Sequence, residues 1–543
     1  RIPRGEGSSV LHSGYAGDRP HLGDGMDYFP AESADDPVLA FFDGGAVTFR
    51  ELDAGAHALA VKLRTEFGLA RGDRVVLCAE LRLEGFEVMV ACHLLGAVYC
   101  PIHPQFSQAQ VSRMVAKVEP RVCIVTGAKA ELFRAAAQPP VLALSEGRTD
   151  WGSSRLEAAE PPGAGETAMI VQSSGTTGEP KAVELQCLLP EKASPLPGPA
   201  LLHAPFSGPA NAMSFWQGVR TGWLMAVATA ALDDEAAIAQ VAQLIQLHGI
   251  KYLPLLPITC AGLSSLSNCD FPSVMVCTLG SAMLSVPRLE RLERLLPNAT
   301  FLNTYGQTEN PFGTFLVVRS PGKPLDMAKL HGGACVGKPM PGSEVRIDGA
   351  KEVGQGAGQG EVLLRIADPS RRALGYWGMP QETAATFTQD GWVRTGDLGF
   401  LDAAGDLVLC GRLKDTIKLA TGMQLFSKDI EAALLSHSSV ADAAVLPLQV
   451  GNGEVPFAFV VASQPLDHER LREYLGGQLS TFQMPKWIEV VNRLPITPSG
   501  KIAKAALHEL ATVVMQGAKP SQVRPTAGVQ PFGQASIDQS ASE

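Results

Sequence analysis

Apolar residues near the start of the chain repeat first with helical and then with strand periodicity. A helix is predicted from Thr48, because Thr48 and Glu51 have capping-box spacing and apolar residues follow at helical period: Leu52, Ala56, Leu59, Leu63 and Phe67. A short apolar run over residues 75–78 predicts a buried strand, and a helix over 86–95 and a strand near Val98 continue the alternation. This order of strand, helix and strand predicts an α/β fold with a largely parallel sheet.

The length of the chain and a change of pattern near residue 413 predict more than one domain. A chain of 543 residues is too long for one compact core. Beyond residue 413, short helices alternate with apolar strands, which is typical of a small α+β domain. We therefore predict four segments: a loosely ordered lead-in over 1–36, a large N-terminal domain with mixed β-sheets and helices over 37–413, a small C-terminal α+β domain over 414–512, and a disordered tail or linker over 513–543.

The composition is that of an ordinary globular protein with an acidic balance. Hydrophobic residues make up 45% of the chain and charged residues 18%, and the formal net charge is -10. Such a chain offers no broad basic surface to nucleic acid or to an anionic membrane, although a local basic site for phosphate stays open. We therefore predict that the protein does not bind nucleic acid. No apolar run is long enough to cross a bilayer, so we also predict no transmembrane segment.

Ten cysteines are scattered along the chain without Cys-x-x-Cys spacing, many of them beside apolar neighbours. This pattern predicts reduced, buried thiols rather than disulfides or a zinc site, and therefore a cytoplasmic protein. The chain begins with Arg1 rather than Met, so a preceding targeting peptide stays open.

The strongest chemical signal is a loop rich in glycine and hydroxyl side chains, Val171-Gln-Ser-Ser-Gly-Thr-Thr-Gly-Glu-Pro-Lys181. It follows an apolar run over residues 168–171 that predicts a strand. Glycines let the backbone approach an anion, hydroxyls and amides can wrap phosphate oxygens, and the lysine adds a point charge. The Gly-Lys-Ser/Thr ending of a Walker loop is absent. The sequence predicts a different phosphate loop, with these candidate residues: Ser173, Ser174, Gly175, Thr176, Thr177, Gly178 and Lys181.

This loop resembles the phosphate-loop signature of the adenylate-forming superfamily, which includes acyl-CoA synthetases, fatty acyl-AMP ligases and nonribosomal-peptide adenylation domains. The resemblance extends over about residues 48–507, because further signatures of that family follow in order: Asn303-Thr-Tyr-Gly-Gln-Thr-Glu309, Val336-Gly-Lys-Pro-Met-Pro-Gly342, Gly375-Tyr-Trp-Gly, Trp392-Val-Arg-Thr-Gly-Asp-Leu398, Gly411-Arg-Leu-Lys-Asp-Thr-Ile-Lys418 and Pro498-Ser-Gly-Lys501. Several ordered motifs are more specific than any one of them. The resemblance implies a large N-terminal domain and a small, mobile C-terminal domain.

The resemblance also implies roles for individual residues in the activation of a carboxylic acid by ATP. Lys501 would bridge the substrate carboxylate and the α-phosphate, where positive charge must offset the repulsion between two anions. Thr308 would hydrogen-bond the α-phosphate, and Glu309 would hold Mg²⁺ through oxygen. Asp397 and Arg412 would bind the ribose. The remaining implied nucleotide-binding residues lie in two segments, of which the first resembles a strand end beside adenine and the second contains the tyrosine that would stack on it: Gly280, Ser281, Ala282, Asn303, Thr304, Tyr305 and Gly306.

A second half-reaction, attack of a thiol on the acyl-AMP, is implied to follow rotation of the C-terminal domain. Lys414 occupies the hinge position of the family. Lys418 and Gly422 lie where the tunnel for the pantetheine arm is lined, and a glycine there leaves room for the thiol. The implied small molecules are ATP, Mg²⁺ and the thiol of CoA or of a phosphopantetheine on an acyl carrier domain.

Three features near the implied acyl site depart from the family pattern. Ala182 stands where a glycine usually follows the loop lysine, and the stretch over residues 181–216 is shorter than usual. The aromatic-histidine pair that often gates the acyl site has Phe206 and Ser207 as its candidate replacement, with His203 nearby.

Two further positions bear on the acid substrate. The spacing from Lys418 to Gly422 is one residue longer than the commonest family spacing. Long-chain acyl-CoA synthetases and carboxylate reductases share this longer spacing, which favours a fatty acid. Ala212 stands where domains that activate α-amino acids have an aspartate to pair with the ammonium group, which argues against an amino acid.

Three functions remain open on the sequence. The first is an acid-thiol ligase of the acyl-CoA synthetase type, which forms acyl-AMP and pyrophosphate from a fatty acid and passes the acyl group to CoA. The second is an adenylation or loading domain that passes the acyl group to a carrier protein in a polyketide or nonribosomal peptide system, and the linker-like tail motivates it. The third is a nonenzymatic nucleotide- or acyl-binding domain, which the retained Glu309, Asp397, Arg412 and Lys501 oppose.

Overall fold

The computed structural model describes most of the chain between residues 34 and 515. The described residues are 34–43, 45–136, 139–173, 181–186, 196–230, 235–266, 269–280, 286–323, 325, 334–351, 358–495 and 502–515. The predicted lead-in over 1–36 and the predicted tail over 513–543 therefore lie almost wholly outside them.

Helices and mostly short strands alternate through the described residues. The strands are β1 Pro37–Phe41, β2 Ala46–Thr48, β3 Arg74–Cys78, β4 Val98–Pro101, β5 Val122–Thr126, β6 Val141–Leu144, β7 Met169–Ser173, β8 Lys181–Leu185, β9 Ala200–Leu202, β10 Met225–Val227, β11 Tyr252–Leu255, β12 Val276–Gly280, β13 Thr300–Gln307, β14 Asn310–Arg319, β15 Cys335–Pro339, β16 Ser343–Lys351, β17 Gln359–Ile366, β18 Ala373–Tyr376, β19 Val393–Leu401, β20 Leu407–Arg412, β21 Thr416–Lys418, β22 Gln424–Phe426, β23 Val440–Val450, β24 Gly453–Ala462 and β25 Trp487–Val491. The helices are α1 Phe49–Phe67, α2 Leu83–Leu95, α3 Gln108–Val118, α4 Ala130–Ala136, α5 Pro209–Thr221, α6 Glu235–His248, α7 Pro257–Ser264, α8 Val286–Leu295, α9 Pro380–Thr386, α10 Ser427–Leu435, α11 His468–Gly476 and α12 Lys504–Met515. None of these helices is long and apolar enough to cross a membrane.

The first helix begins where the sequence predicts it. The Thr48 hydroxyl accepts a hydrogen bond from the backbone N–H of Glu51, and the Glu51 carboxylate accepts one from the backbone N–H of Thr48 at 2.9 Å. Gly68 caps the other end of the helix with a φ of +60°, the left-handed conformation that favours glycine. The predicted strand over residues 75–78 and the strand near Val98 are confirmed as β3 and β4, with α2 between them.

A seven-stranded sheet has a parallel centre and an antiparallel edge. Its strand order is β18-β8-β7-β4-β3-β5-β6. Neighbouring strands from β7 to β6 in this order are parallel, as the alternation of strand and helix predicts. Strand β8 runs antiparallel to both β7 and β18, so a segment from much later in the chain completes this edge. Helices α1, α2 and α5 contribute to the hydrophobic core of this sheet.

A second sheet has thirteen strands in the order β16-β17-β19-β20-β15-β14-β13-β12-β11-β9-β10-β1-β2. The strands from β13 to β1 in this order are parallel, and those on either side of them pair antiparallel. Helices α6, α7 and α8 contribute to its own hydrophobic core. The mixed sheets and helices confirm the predicted α/β fold class.

The smaller C-terminal domain is an α+β unit built on the sheet β23-β24-β25. Alternate residues of its strands face opposite sides, so Val445 and Ala458 pack in the cluster that includes α10 and α11. Their neighbours Ala444 and Phe457 pack in the cluster that includes α12. The alternation of short helices and strands predicted beyond residue 413 is confirmed, whereas the domain boundary at residues 413–414 stays a prediction.

Nine cysteines lie among the described residues, none of them forms a disulfide there, and seven of the nine are buried. Burial raises the pKa of Cys78 and of Cys123 to about 12, so both thiols stay protonated at neutral pH. Cys269 and Cys410 are half-buried. The prediction of reduced, mostly buried cysteines is confirmed for this part of the chain.

Buried carboxylates of α2 hold the segment that connects β6 to β7. Glu84 accepts a hydrogen bond from the backbone N–H of Thr149 at 2.7 Å, and Glu87 accepts one from the indole N–H of Trp151 at 2.6 Å. Both carboxylates are nearly inaccessible to solvent. The segment that contains Thr149 and Trp151 is therefore fastened to a core helix.

Glu87→Gln should make the protein relatively more stable at alkaline pH. Burial, followed by the neighbouring Glu84 carboxylate, raises the pKa of Glu87 to about 7, although the Trp151 indole opposes the shift. Because this exceeds the ordinary value of 4.5, the stability that Glu87 contributes is full below about pH 4.5 and is lost as the pH rises through 7. Glutamine cannot ionise, so the stability of the variant relative to wild type should increase from pH 5 to pH 8 by about 1–3 kcal/mol.

Thermal or denaturant unfolding at both pH values checks this expectation. Glu131→Gln, at an exposed position, is the matched control and should show no such pH dependence. A stability difference for Glu87→Gln that is the same at pH 5 and pH 8 would contradict ionisation of this carboxyl near neutral pH.

Candidate active site

Strand β12 ends beside the parallel strand β13 at the first part of the site. Strands β12 and β13 place Gly280 beside Thr304 in register, and a Cβ added at residue 280 would lie 2.8 Å from the Thr304 Oγ1 atom. The Thr304 hydroxyl donates to the carbonyl of Leu279 at 3.1 Å. This close approach leaves room for glycine alone without a shift of its neighbour. Ligands of α/β sheets bind at the carboxyl ends of parallel strands, and Gly280 is the last residue of β12, with Thr304 beside it on β13.

Asn303 and Gly306 hold β13 in its sheet. The Asn303 side-chain amide donates to the carbonyl of Cys335 on β15 at 3.0 Å. A Cβ added at residue 306 would lie 2.9 Å from the carbonyl oxygens of Asn310 and Pro311 on β14. Both residues thus have a structural role in the sheet, and their implied contacts with the nucleotide stay predictions.

A two-residue turn, Thr308-Glu309, connects β13 to β14, and Gln307 pairs with Asn310 across it. Thr308 is half-buried, whereas Glu309 is buried. The Oε1 atom of Glu309 accepts a hydrogen bond from the Tyr376 hydroxyl at 2.8 Å. Tyr376 ends β18 in the seven-stranded sheet, so the predicted metal ligand lies where the two large sheets meet.

Strands β7 and β8 carry the two ends of the predicted phosphate loop. Ser173 and Lys181 are paired across the antiparallel ladder, so the loop between them begins and ends at neighbouring positions. The Lys181 ammonium lies 4.4 Å from the centroid of the Tyr376 ring, a cation–π contact. The other predicted residues of this loop and three more of the predicted site lie outside the described residues: Ser174, Gly175, Thr176, Thr177, Gly178, Ser281, Ala282 and Lys501.

Asp397 receives three side-chain donors, and we call Asp397 with these three partners the Asp397 cluster. Its Oδ2 atom accepts hydrogen bonds from the Tyr305 hydroxyl at 2.7 Å and from the Gln307 amide at 3.1 Å, and its Oδ1 atom lies 2.9 Å from the Arg412 Nε atom. Burial, followed by the charge of Asp397, raises the pKa of Tyr305 well above its ordinary value, so the phenol remains a donor. The structure thus brings together three predicted residues: Tyr305, Asp397 and Arg412.

Sequence reasoning assigned no role to Gln307, Thr395 or Tyr376. The Gln307 amide also donates to the Thr395 carbonyl at 2.7 Å, and the Thr395 hydroxyl accepts from the backbone N–H of Asp397 at 3.0 Å. All three residues lie inside motifs that carry the family resemblance, which is the one signal that pointed to them. Their partners are distant along the chain, so no local pattern reveals the contacts.

Lys414, Lys418 and Gly422 lie on the segment that leads into the C-terminal domain. Lys414 and Lys418 are both exposed, although partial desolvation lowers the pKa of Lys414. The backbone N–H of Lys418 donates to Glu454 at 2.6 Å. Gly422 has a φ of +82°, and no atom lies within 4 Å of where its Cβ would be. The left-handed turn between β21 and β22 therefore accounts for this glycine, and its place beside a thiol arm stays a prediction.

Two lysines join this segment to its surroundings. Lys504, the first residue of α12, forms an ion pair with Asp415 at 2.8 Å. Lys428, on α10, donates to the carbonyl of Leu409 on β20 at 3.3 Å. Burial lowers the pKa of Lys428. Residues beyond the hinge position are thus bonded both to α12 and back to the large sheet.

Phe206, a candidate replacement for the gate of the acyl site, lies in the core. Its ring packs edge-on against Phe86 with centroids 4.9 Å apart, and it comes so close to α2 that a Cβ at Gly85 would lie 2.2 Å from it. His203 is also buried, and burial lowers its pKa to about 4, so the ring is neutral at neutral pH. Both side chains belong to the packed interior in this structure.

A small cavity of about 30 Å³ lies between α2, α5 and the strands β4 and β7. It has room for one or two water molecules. Ala212 lines it together with Met169 and Trp216, and the full set of lining residues contains a histidine and a tyrosine but no carboxylate. The position implied to select against amino acids therefore faces an uncharged cavity.

Comparisons with known proteins identify the family. The model of the AMP-binding enzymes matches residues 27–377, and the model of the AMP-binding enzyme C-terminal domain matches residues 429–501. The chain is 27% identical over 501 residues to 4-coumarate–CoA ligase 5 of Oryza sativa subsp. japonica, which covers 86% of this chain and 89% of the relative. It is 28% identical over 509 residues to a fatty acid–[acyl-carrier-protein] ligase of Streptomyces coeruleorubidus, which covers 86% and 92%.

Solved structures share the fold. The ATP-bound crystal structure of MatB from Rhodopseudomonas palustris has a TM-score of 0.76 at 24% identity and covers 89% of this chain and 98% of that one. The o-succinylbenzoate coenzyme A synthetase of Bacillus subtilis, in complex with ATP and a magnesium ion, has a TM-score of 0.72 at 23% identity and covers 87% and 96%.

The chain belongs to the AMP-binding enzyme family, which is the adenylate-forming superfamily. Within it, the chain falls among the acyl- and aryl-CoA ligases, so the predicted family, fold class and enzyme class, an acid-thiol ligase, are confirmed. The third function that the sequence leaves open, a nonenzymatic binding domain, is set aside.

Asp397→Asn should weaken ATP binding and lower stability. The new amide nitrogen cannot accept from the Tyr305 hydroxyl or the Gln307 amide, and Arg412 loses its ion pair. A hydrogen bond to a charged group contributes about 1.5–3 kcal/mol, so the Kd for ATP should rise roughly tenfold or more. Isothermal calorimetry of ATP binding checks this.

The control for this substitution is Asp390→Asn, which changes an exposed aspartate that is bonded to the Thr388 hydroxyl. Its Kd for ATP should stay at the wild-type value. An unchanged affinity of Asp397→Asn for ATP would contradict a ribose-binding role of this carboxylate.

Proposed function

We propose that this enzyme activates a carboxylic acid with ATP, releases pyrophosphate, and transfers the acyl group from acyl-AMP to the thiol of CoA. The observation that carries the proposal is a set of partnered groups on strands β12, β13, β19 and β20 and on the turn between β13 and β14. These are the close pair Gly280 and Thr304, the Glu309 carboxylate and the Asp397 cluster. They provide one surface for a base, one for a ribose and one carboxylate for a cation.

In the first step, a carboxylate oxygen of the acid attacks the α-phosphorus of ATP, and the bond to pyrophosphate breaks. Both reactants are anions, so cationic side chains must lower the barrier. We propose Lys181, at the end of the phosphate loop, and Lys501, from the C-terminal domain, for this purpose. Arg412 is already paired with Asp397 and would serve the ribose instead.

Glu309 is the proposed ligand of Mg²⁺. Its Oε1 atom is held by Tyr376, and no described residue donates to its Oε2 atom. Mg²⁺ is usually bound by one or two carboxylates together with substrate phosphates. A carboxylate oxygen without a described donor, connected through Tyr376 to Lys181, fits the ion. The described residues contain no cluster of three or more ligating side chains, so the phosphates and water would complete its coordination. When bound, the ion would screen the phosphate charge.

For the acid we propose a hydrophobic molecule, and in first place a fatty acid. Support comes from the cavity beside Ala212, whose lining offers no carboxylate to pair with the ammonium group of an amino acid. The longer spacing between Lys418 and Gly422 also supports a fatty acid as the substrate. The cavity itself is small, so a long acyl chain requires Trp216 to move.

A second acceptor for the acyl group is the phosphopantetheine of a carrier protein. The relative from Streptomyces coeruleorubidus favours this alternative, because its name gives an acyl carrier protein as the acceptor. Thioester formation measured side by side with CoA and with a phosphopantetheinylated carrier protein separates the two acceptors.

Lys501→Ala should reduce adenylation by roughly two orders of magnitude or more, because it removes a charge that stabilises the transition state. The measurement is ATP–pyrophosphate exchange, after a screen of fatty, aryl and amino acids with the wild-type enzyme has found the best substrate. Lys486→Ala, at an exposed position of the C-terminal domain, is the control and should exchange at the wild-type rate.

Wild-type exchange in Lys501→Ala would reject the proposed role of this lysine. Absence of pyrophosphate release by the wild-type enzyme with every acid of the screen would reject the proposed reaction.

Trp216→Leu should shift the preference toward longer acids. Trp216 is 5% exposed, lines the cavity and packs against His93 and Phe215, so a smaller side chain lengthens the space next to Ala212. We expect the ratio of kcat/KM for a long-chain acid to that for a short one to rise about tenfold, since each methylene contributes about 0.8 kcal/mol when buried. Trp223→Leu, outside this cavity, is the control. An unchanged ratio of the two kcat/KM values would show that the cavity is not part of the acyl site.

A further inference from the structure

Tyr376 contacts two residues of the proposed ATP site at once. Its hydroxyl donates a hydrogen bond to Glu309 Oε1 at 2.8 Å, and the Lys181 ammonium lies 4.4 Å from the centroid of its ring. Lys181 closes the predicted phosphate loop, whereas Glu309 is the proposed ligand of Mg²⁺. One side chain therefore connects the cation of the loop with the carboxylate of the metal site.

The backbone at Tyr376 is held from two directions. Strand β18 pairs with β8, so Tyr376 lies opposite Val183, and the N–H of Trp377 donates to the carbonyl of Ala182 at 2.8 Å. On the other side, the N–H of Tyr376 donates to the Thr383 hydroxyl of α9 at 2.9 Å. These bonds fix the tyrosine without any help from Glu309.

The ring of Tyr376 is closely packed as well. The side chain is buried, and Phe387 lies edge-on to it with ring centroids 5.5 Å apart. Gly375 has a φ of +144°, and a Cβ there would lie 2.6 Å from the Thr383 methyl group, so the chain comes as near to α9 as it can. The hydroxyl keeps its proton, because burial and then the Glu309 charge raise the pKa of Tyr376.

A fixed donor restricts how the Glu309 carboxylate can turn. The terminal torsion of a glutamate is broad and has two-fold symmetry, so a carboxylate without partners samples many orientations. With Oε1 bonded to Tyr376, Oε2 is the oxygen that remains for a cation. Partners of this kind orient metal ligands, and their loss typically weakens metal affinity 10- to 100-fold.

We propose that Tyr376 is a positioning residue that orients Glu309 toward Mg²⁺ and at the same time seats the Lys181 ammonium over its ring. The cation of the phosphate loop and the metal ligand are thereby held at a set separation, although they come from different sheets. This inference rests on the proposed function, because it takes Glu309 as the Mg²⁺ ligand.

Tyr376→Phe tests the hydroxyl, because it keeps the ring under Lys181. Calorimetric titration with a nonhydrolysable ATP analogue at graded Mg²⁺ should show the half-saturating Mg²⁺ concentration rising about tenfold or more. In EDTA, the Kd for the analogue should stay within about twofold of wild type, since the cation–π contact is intact. Tyr376→Leu removes the ring too and should also weaken binding in EDTA, by roughly threefold.

The matched control is Tyr474→Phe, which removes a tyrosine hydroxyl bonded to the Ser436 carbonyl at 3.1 Å in the C-terminal domain. Its Mg²⁺ dependence should equal that of wild type. A second test is a double-mutant cycle: in a Glu309→Gln background, Tyr376→Phe should no longer change the Mg²⁺ dependence. Should Tyr376→Phe not fold, Thr383→Val, which removes a backbone anchor of Tyr376, should shift the Mg²⁺ dependence in the same direction.

A wild-type Mg²⁺ dependence in a folded Tyr376→Phe would overturn the proposal, and so would an equal loss of affinity with and without Mg²⁺, which indicates a purely structural role. The binding measurement needs no acid substrate and no turnover. If no acid substrate is found in the screen, that result counts against the proposed function. The binding test of Tyr376 remains valid in that case. If binding of the analogue by the wild-type enzyme does not depend on Mg²⁺, Glu309 is not a Mg²⁺ ligand. That result would count against the proposed function and against the proposed role of Tyr376.

Discussion

A carboxylate that is buried must be given hydrogen-bond donors, and this requirement shapes the whole site. Asp397 is 6% exposed and Glu309 is 9% exposed, and each is held by a tyrosine hydroxyl. A phenol suits this purpose because it stays protonated next to an anion, while its ring packs in the core. The two tyrosines, Tyr305 and Tyr376, belong to different sheets. The site therefore exists only when both large sheets are folded and docked against each other.

How much of the structure the sequence predicts depends on how far apart along the chain the contacting residues are. The capping box at Thr48 and the apolar run of β3 were predicted correctly, because caps and periodicity involve neighbours along the chain. The pairing of β18 with β8 had no such signal, since neither segment carries a pattern that specifies its partner. The contact between Tyr376 and Glu309 depends on that pairing, which is why a motif containing Tyr376 was recognised without its role.

The candidate site residues came from family motifs, and the structure shows that similar residues in those motifs obey different constraints. Gly280 is restricted by the close approach of Thr304, whereas Gly422 has open space around it and is restricted by its left-handed backbone. Phe206, a candidate replacement for the gate of the acyl site, is restricted by its packing on α2 in the core. Residue type and position in a motif are available in a sequence, but the neighbour that imposes the constraint is not.

The buried cysteines have a practical consequence for testing whether the C-terminal domain moves, as the family resemblance implies. Thiols such as Cys78 and Cys123 are shielded and protonated, so alkylating reagents react with them slowly. Burial raises the pKa of Cys410 as well, so among the described cysteines it is partial exposure that directs labelling to Cys269 and Cys410. Cys410 lies on β20, immediately before Gly411 and the segment that leads to the hinge position. A fluorophore or spin label at this native thiol would report on the hinge, with Cys269 as the reference on the large domain.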